Sequence, residues 1–342
     1  MKQLIVNADD FGADSCRNRG IAAAVAAGAV TAVSVLVNGP AFAAGLPLLG
    51  GWQRRGIAVG LHLNLSEGRP LAKGLAVLAG VDGGFQGKTA AHALLLQKNN
   101  GKLAEDIIAE TEAQIARLRE TGIRIDHLDG HQHVHVFPGA AAVVVAAAAR
   151  HGIPRIRLPA EPLTGDDPGF PCGPEGGQGL LAPAGDRQRE RQPAKAAGDP
   201  GKQGQTRLNG SSRAAIPEDA AVLPTPSLLR EAALFSGLAT AARPLLAAAG
   251  IRTTDHFRGL CLKSRLSLPL LEVVFRELPA GLTELMVHPG DLPGTADAVA
   301  GPFAAFATGD RQRELAVLLA PEFLGLLKKY EIRLISRPEA GS

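Results

Sequence analysis

The chain has 342 residues, of which 46% are hydrophobic, 20% charged and 4% aromatic, a balance that suits a well-buried globular core and argues against wholesale disorder. With 36 basic and 33 acidic residues the formal net charge is +3, and no Arg/Lys stripe with interleaved aromatics appears, so no nucleic-acid partner is expected. Cys16, Cys172 and Cys261 form no CxxC pair, which suggests neither a disulfide framework nor a thiolate zinc site and fits a reducing compartment. The apolar start, Leu4 to Val6, is too short for a secretory signal. The longest small-apolar run, Ala140 to Ala149, is about half of the roughly 20 residues a spanning helix needs. The expectation is a cytoplasmic protein, with transient contact at the inner membrane face and a homo-oligomer both compatible with the chain.

Strand-like and helix-like runs alternate: Leu4–Asn7 then Arg17–Ala27, Ala32–Val37 then Ala41–Leu49, Ile57–Leu63 then Leu103–Glu120, Arg124–Leu128 then Ala140–His151. Such alternation predicts βα units around a parallel sheet. After Ile153–Leu158 the pattern stops. From about Thr164 to Pro226 the chain is crowded with Gly, Pro, Gln and Arg and reads as a disordered insertion or an out-of-frame stretch. Ser227 to Gly250 resumes helical spacing, with Pro244 predicted to kink or divide it and Gly250 to stop it. Short strands at Thr253–Phe257 and Thr283–Val287 flank a helix around Pro269–Leu278. Helices near Arg311–Leu319 and Glu322–Lys329 and a last strand at Ile332–Ser336 complete one catalytic domain spanning residues 1–342, interrupted at 164–226.

The strand-like runs end in chemistry. "LIVNADDFG" delivers Asp9 and Asp10, "IAVGLHLNL" His62, "IRIDHLDGHQHVH" Asp129, His131, His133 and His135, and "TELMVHPG" His288. Adjacent carboxylates at a strand tip repel, and a metal ion is the usual counter-charge. Functional residues of α/β barrels gather at the carboxyl ends of parallel strands, so four loaded ends favour a barrel over a doubly wound sheet with one switch point. One carboxylate and two imidazoles, from Asp10, His62 and one histidine of the 131–135 cluster, would hold a divalent ion with open positions, magnesium or zinc among the candidates. A bound water would then be activated, with Asp9 taking its proton and His288 protonating a departing amine. Blander readings exist for each element. Asp9-Asp10 could cap a helix starting near Ser15, His62 could be a buried structural histidine, and His288 could merely precede the Pro289-Gly290 turn. An extended backbone would place His131, His133 and His135 on one face, and Asp129 could orient a ligand from behind. His92 and His151 read as surface or structural.

Taken together, "NADDFG", "GLHLNL", "HLDGHQHVHVFP" and "ELMVHPG" resemble the YdjC-like carbohydrate deacetylase family, closest to its hopanoid-biosynthesis-associated branch. The resemblance covers about residues 1–161 and 228–336. It implies an α/β fold, an incomplete (βα) barrel related to polysaccharide deacetylases, and metal-dependent removal of acetyl from an N-acetylated amino sugar. Carried over by motif, Asp10, His62 and His131 become the metal ligands and Asp9 the general base, while Asp129, His133, His135 and Asn64 stand behind the ligands or face the substrate. The hopanoid branch implies an N-acetylglucosaminyl hopanoid substrate. A soluble chitooligosaccharide deacetylase, and a non-catalytic sugar or lipid-head-group binding protein on the same barrel, are the alternatives.

Overall fold

The computed structural model describes residues 1–162, 224–291, 303 and 308–337. One compact unit contains Met1–Cys172 and Leu223–Ser342; the other, Gly173–Val222, lies outside the described residues. So does the expected insertion at 164–226, apart from its last residues. There Thr225 caps the next helix, its Oγ1 accepting from Leu228 N at 3.2 Å.

In chain order the elements are β1 (Lys2–Phe11), α1 (Ser15–Ala26), β2 (Ala32–Val35), α2 (Phe42–Arg54), β3 (Ala58–Leu63), α3 (Lys88–Leu95), α4 (Gly101–Arg119), β4 (Leu128–Gly130), a 3-10 segment (His131–Val136), α5 (Ala141–Arg150), α6 (Pro226–Ala248), β5 (His256–Arg258), α7 (Leu268–Glu277), β6 (Gly281–Val287), α8 (Gly309–Leu319), α9 (Pro321–Lys329) and β7 (Ile332–Leu334). The helix α6 runs through Pro244 without dividing. Asp14, rather than Asp9 or Asp10, caps α1, its Oδ1 accepting from Arg17 N at 2.7 Å.

All strand pairs are parallel, in the order β4-β3-β2-β1-β6-β5, with β7 beside the first residues of β1. Beyond β4 the ladder is reduced to single bridges, Leu128 to Ile156 and Arg155 to Arg252, which lead towards β5. The sheet therefore curls into an incomplete barrel, as expected.

Strand side chains alternate between faces, and here the alternation sorts the barrel into layers. Leu4, Val6, Val33, Val59 and Leu61 face the helices and join the main core, whereas Ile5, Ala32, Ala58, Leu282 and Ile335 form a separate apolar floor. Two residues on from that floor, on the same inward face, come Asn7, Ser34, Gly60 and Glu284. Two further on come Asp9 and His62. The interior changes from apolar to polar towards the carboxyl ends of the strands, where the chemistry collects.

Candidate metal centre

The neighbouring carboxylates Asp9 and Asp10 face the same site because β1 is irregular. Its pairing with β2 runs Ala8↔Val33 and then Phe11↔Val35, with the register shifting between Ala8 and Phe11, so one extra residue is accommodated in β1. Asp10 takes the left-handed conformation, φ 70°, which is uncommon and costly for a non-glycine residue and concentrates at functional sites. A bulge of this kind re-aims a side chain that strict alternation would send outward.

Asp10, His62 and His131 then converge, all buried, with one donor atom from each lying within 4.8 Å of the others. His131 Nδ1 is 2.9 Å and His62 Nε2 3.4 Å from Asp10 Oδ1. A carboxylate and two imidazoles, buried and sharing one focus, are a donor set that suits zinc and other first-row divalent ions. The residues present therefore fit a metal. Behind His62, Asp129 Oδ1 meets Nδ1 at 2.7 Å, the carboxylate–imidazole arrangement that fixes ring orientation at metal sites.

Asp9 is held differently, by a cation that the sequence did not single out. The cation beside this carboxylate is Arg157, whose Nη1 donates to Oδ2 at 2.6 Å and Nη2 to Oδ1 at 2.7 Å. Arg157 also reaches Asp129 Oδ2 at 2.8 Å and Glu284 Oε1 at 2.7 Å, and Asn7 Nδ2 donates to Asp9 Oδ1 at 2.7 Å. Sequence reasoning passed over Arg157 and Glu284. Their signal was a pair of arginines two apart in the apolar "IPRIRLP", and a glutamate inside the buried strand "TELMV"; charged groups in apolar strands must be paired.

The electrostatics follow from these contacts. Burial raises the Asp9 carboxyl above its usual range against the pull of Arg157. For Asp129 burial also pushes upward, but Arg157 and His62 overcome it and hold the group well below the normal range. Asp10 is likewise held well below it, by His131 and His62 against burial. Burial would depress His62, yet Asp129 and Asp9 push it up to about 10. His288 follows β6, with Nε2 4.0 Å from Asp9 Oδ2 and its backbone N donating to Glu314 Oε2 at 2.5 Å. Burial and then Arg311 hold its imidazole well below the ordinary value, so it rests neutral.

The 131–135 cluster does not form the single extended face expected. It is a 3-10 segment in which Gln132 and His133 adopt φ 53° and 60°, and the three rings take different partners. His131 points at Asp10. His133 packs against Phe235, with ring centroids 4.6 Å apart, and His135 Nε2 lies 2.9 Å from Arg157 O. Burial, reinforced by Arg157, keeps His133 well below the normal imidazole range, and burial brings His135 down to about 4. Both rest neutral, and His133 also lines the cleft over the centre. Asn64 builds the loop after β3, its Oδ1 accepting from Ser66 N at 3.0 Å and Glu67 N at 3.1 Å. His92 is structural as read, packed 4.6 Å from the Phe137 ring and 3.1 Å from Gln132 O; His151 joins a surface group with Glu112 at 2.6 Å.

A cleft opens over Asp9, Asp10, His62, His131 and His288. Leu228, Ala232, Leu260 and Met286 give it an apolar side, while Lys88, Glu231 and Lys263 form a charged cluster in its lining. Glu231 Oε1 accepts from Lys88 Nζ at 2.7 Å and from Lys263 Nζ at 3.3 Å.

An incomplete parallel barrel with a buried carboxylate–imidazole centre at its strand ends defines the structural class. The sequence matches the family described as YdjC-like protein over residues 3–329, and the chain belongs to that family. It is 33% identical to a carbohydrate deacetylase of Mus musculus across 97% of this chain and 93% of the relative, and 33% identical to a carbohydrate deacetylase of Homo sapiens across 99% and 91%. A crystal structure from Enterococcus faecalis V583, provisionally described as a cellobiose-phosphate cleavage protein, shares the fold with a TM-score of 0.59 at 20% identity, covering 97% of this chain and 96% of that one. Among the described residues no helix is long and apolar enough to cross a membrane.

Proposed function

We propose that the chain is a carbohydrate deacetylase that hydrolyses the acetamide of an N-acetylglucosaminyl substrate with the help of one divalent metal ion. The observation that carries this reading is the convergence of Asp10, His62 and His131 beside the separately held Asp9. The names of its two nearly full-length relatives support the reaction class. Asp10, His62 and His131 would hold the ion, which when bound activates water and polarises the amide carbonyl.

The chain's own residues then move one proton. Asp9, poised by burial and anchored on both oxygens by Arg157, accepts it from the attacking water. His288 rests neutral, so the proton it delivers to the departing amine must reach it during the reaction, and Asp9 Oδ2 lies 4.0 Å from its Nε2. The amide C–N bond breaks as the nitrogen is protonated, leaving acetate and the free amino sugar. Burial of the centre strengthens each of these electrostatic contacts relative to water.

The finer substrate is an N-acetylglucosaminyl hopanoid, on the strength of the sequence motifs and of the apolar cleft wall formed by Leu228, Ala232, Leu260 and Met286. Acetate release from a lipid-linked and a soluble chitin-type substrate, measured side by side, tests this. Preference for the lipid-linked form is expected; equal or better turnover of the soluble one would replace it with a chitooligosaccharide substrate.

A further inference from the structure

Each imidazole that faces Asp10 has a second ring nitrogen to satisfy. For His62 this is Nδ1, which meets Asp129 Oδ1 at 2.7 Å. The His131 ring is presented the other way round, with Nδ1 2.9 Å from Asp10 Oδ1 and Nε2 3.6 Å from Glu67 Oε2. Glu67 lies four residues past the end of β3 and was not singled out in the sequence.

Its surroundings hold it in place. The backbone N donates to Asn64 Oδ1 at 3.1 Å, and the backbone carbonyl accepts from Asn64 Nδ2 at 2.7 Å. Gln132 Nε2 donates to Oε1 at 2.7 Å, and the left-handed backbone of Gln132, φ 53°, is what turns this side chain back after His131. The Glu67 side chain is only 12% exposed, and its Oε2 is buried without a hydrogen-bond partner within the normal distance. A buried acceptor left unsatisfied costs about 1–3 kcal/mol, more when it is charged. An imidazole N–H on His131 Nε2, drawn in slightly, is the donor this geometry offers.

We propose that Glu67 is the positioning residue for His131, the counterpart of Asp129 behind His62. The two carboxylates select opposite tautomers. Asp129 keeps the proton of His62 on Nδ1 and frees Nε2, while Glu67 keeps that of His131 on Nε2 and frees Nδ1, so that both lone pairs point towards Asp10. In this structure the two histidines present different ring nitrogens to Asp10, and the remaining nitrogen of each faces its own carboxylate. The inference rests on the proposed metal site and extends it to a residue and a tautomer.

The test uses the full chain stripped with a chelator and titrated with Zn²⁺ or Co²⁺ against a chromophoric competitor, for wild type, Glu67→Ala and Glu67→Gln. Loss of an outer carboxylate typically lowers metal affinity 10–100-fold. That loss is expected for Glu67→Ala, with a smaller one for Glu67→Gln and an altered Co²⁺ absorption spectrum in both. A residue that merely braces the loop would lower the melting temperature of the metal-free protein and leave affinity and spectrum unchanged. If Glu67→Ala fails to fold, the isosteric Glu67→Gln decides alone. Wild-type affinity and spectrum in the folded Glu67 variants would overturn this inference and leave the metal reading standing; a wild-type protein that binds neither ion would overturn both.

Discussion

Arg157 grips both oxygens of Asp9, at 2.6 and 2.7 Å, and with the same guanidinium reaches Asp129 at 2.8 Å. One buried cation thus sets the positions of the proposed base and of the carboxylate behind His62. A bidentate fork shared among several carboxylates is a task for arginine, because the lysine ammonium is a compact point charge. Arg157→Lys is expected to lower stability by about 3 kcal/mol, since breaking a buried charge network leaves unpaired carboxylates, and to lower turnover on the order of 10²-fold through misplacement of Asp9. Denaturant unfolding and steady-state acetate release check the two parts.

Asp9 and Asp10 have separable roles, and substitutions should separate them. Asp9→Asn is expected to cut turnover by about 10²–10⁴-fold, the range for a lost general base, while retaining bound metal at wild-type stoichiometry. Asp10→Asn should instead reduce metal content. Metal analysis of both purified variants alongside acetate release distinguishes the pair, and equal metal loss in both would refute the division.

Gly60 is required by the ring across from it. A Cβ at this position would lie 2.3–2.5 Å from Nε2, Cδ2 and Cε1 of buried His127, and His127 Nε2 is itself 3.0 Å from Ser34 Oγ, which donates to Asp129 Oδ2 at 2.7 Å. Gly60→Ala should therefore destabilise the fold by about 1–3 kcal/mol through overpacking and weaken metal binding as Asp129 shifts. Thermal unfolding of the metal-free protein, followed by metal titration, reads both effects.

The pH dependence of stability should carry a mark from Glu161, far from the metal ligands in sequence. This buried carboxylate accepts from Leu260 N at 2.7 Å and Cys261 N at 3.1 Å, yet burial pushes it up to about 7 from 4.5. A carboxyl whose folded value is raised favours folding while protonated, so its contribution is complete below pH 4.5 and disappears as pH rises through about 7. Relative to Glu161→Gln, the wild type should lose stability, on the order of 3 kcal/mol, between those limits and change little above. A flat difference across that window would show that the Leu260 and Cys261 N–H groups stabilise the charged form enough to cancel the effect of burial.

Much of this architecture was legible in the chain because period-two apolar runs and loaded strand ends are local signals. The convergence of Asp10, His62 and His131 followed from them with the help of motif order. What escaped was whatever depends on backbone irregularity or on partners distant in sequence. The bulge that turns both Asp9 and Asp10 to one site requires φ 70° at an aspartate, which nothing in "NADDFG" announces. The left-handed turn at Gln132 and His133 likewise defeated the extended reading of "HQHVH". Arg157 lies 148 residues from Asp9, so the repulsion between the two aspartates was visible while its buried counter-charge was not.

The central claim is that hydrolysis depends on a divalent ion held by Asp10, His62 and His131. Acetate release from an N-acetylglucosaminyl substrate, followed as chelator-stripped protein is titrated in turn with magnesium, zinc, manganese and cobalt, tests it most directly. Stripped protein should release no acetate, and activity should saturate at one equivalent of an activating ion. Undiminished release from stripped protein, or no release with any of the four ions, would contradict the claim.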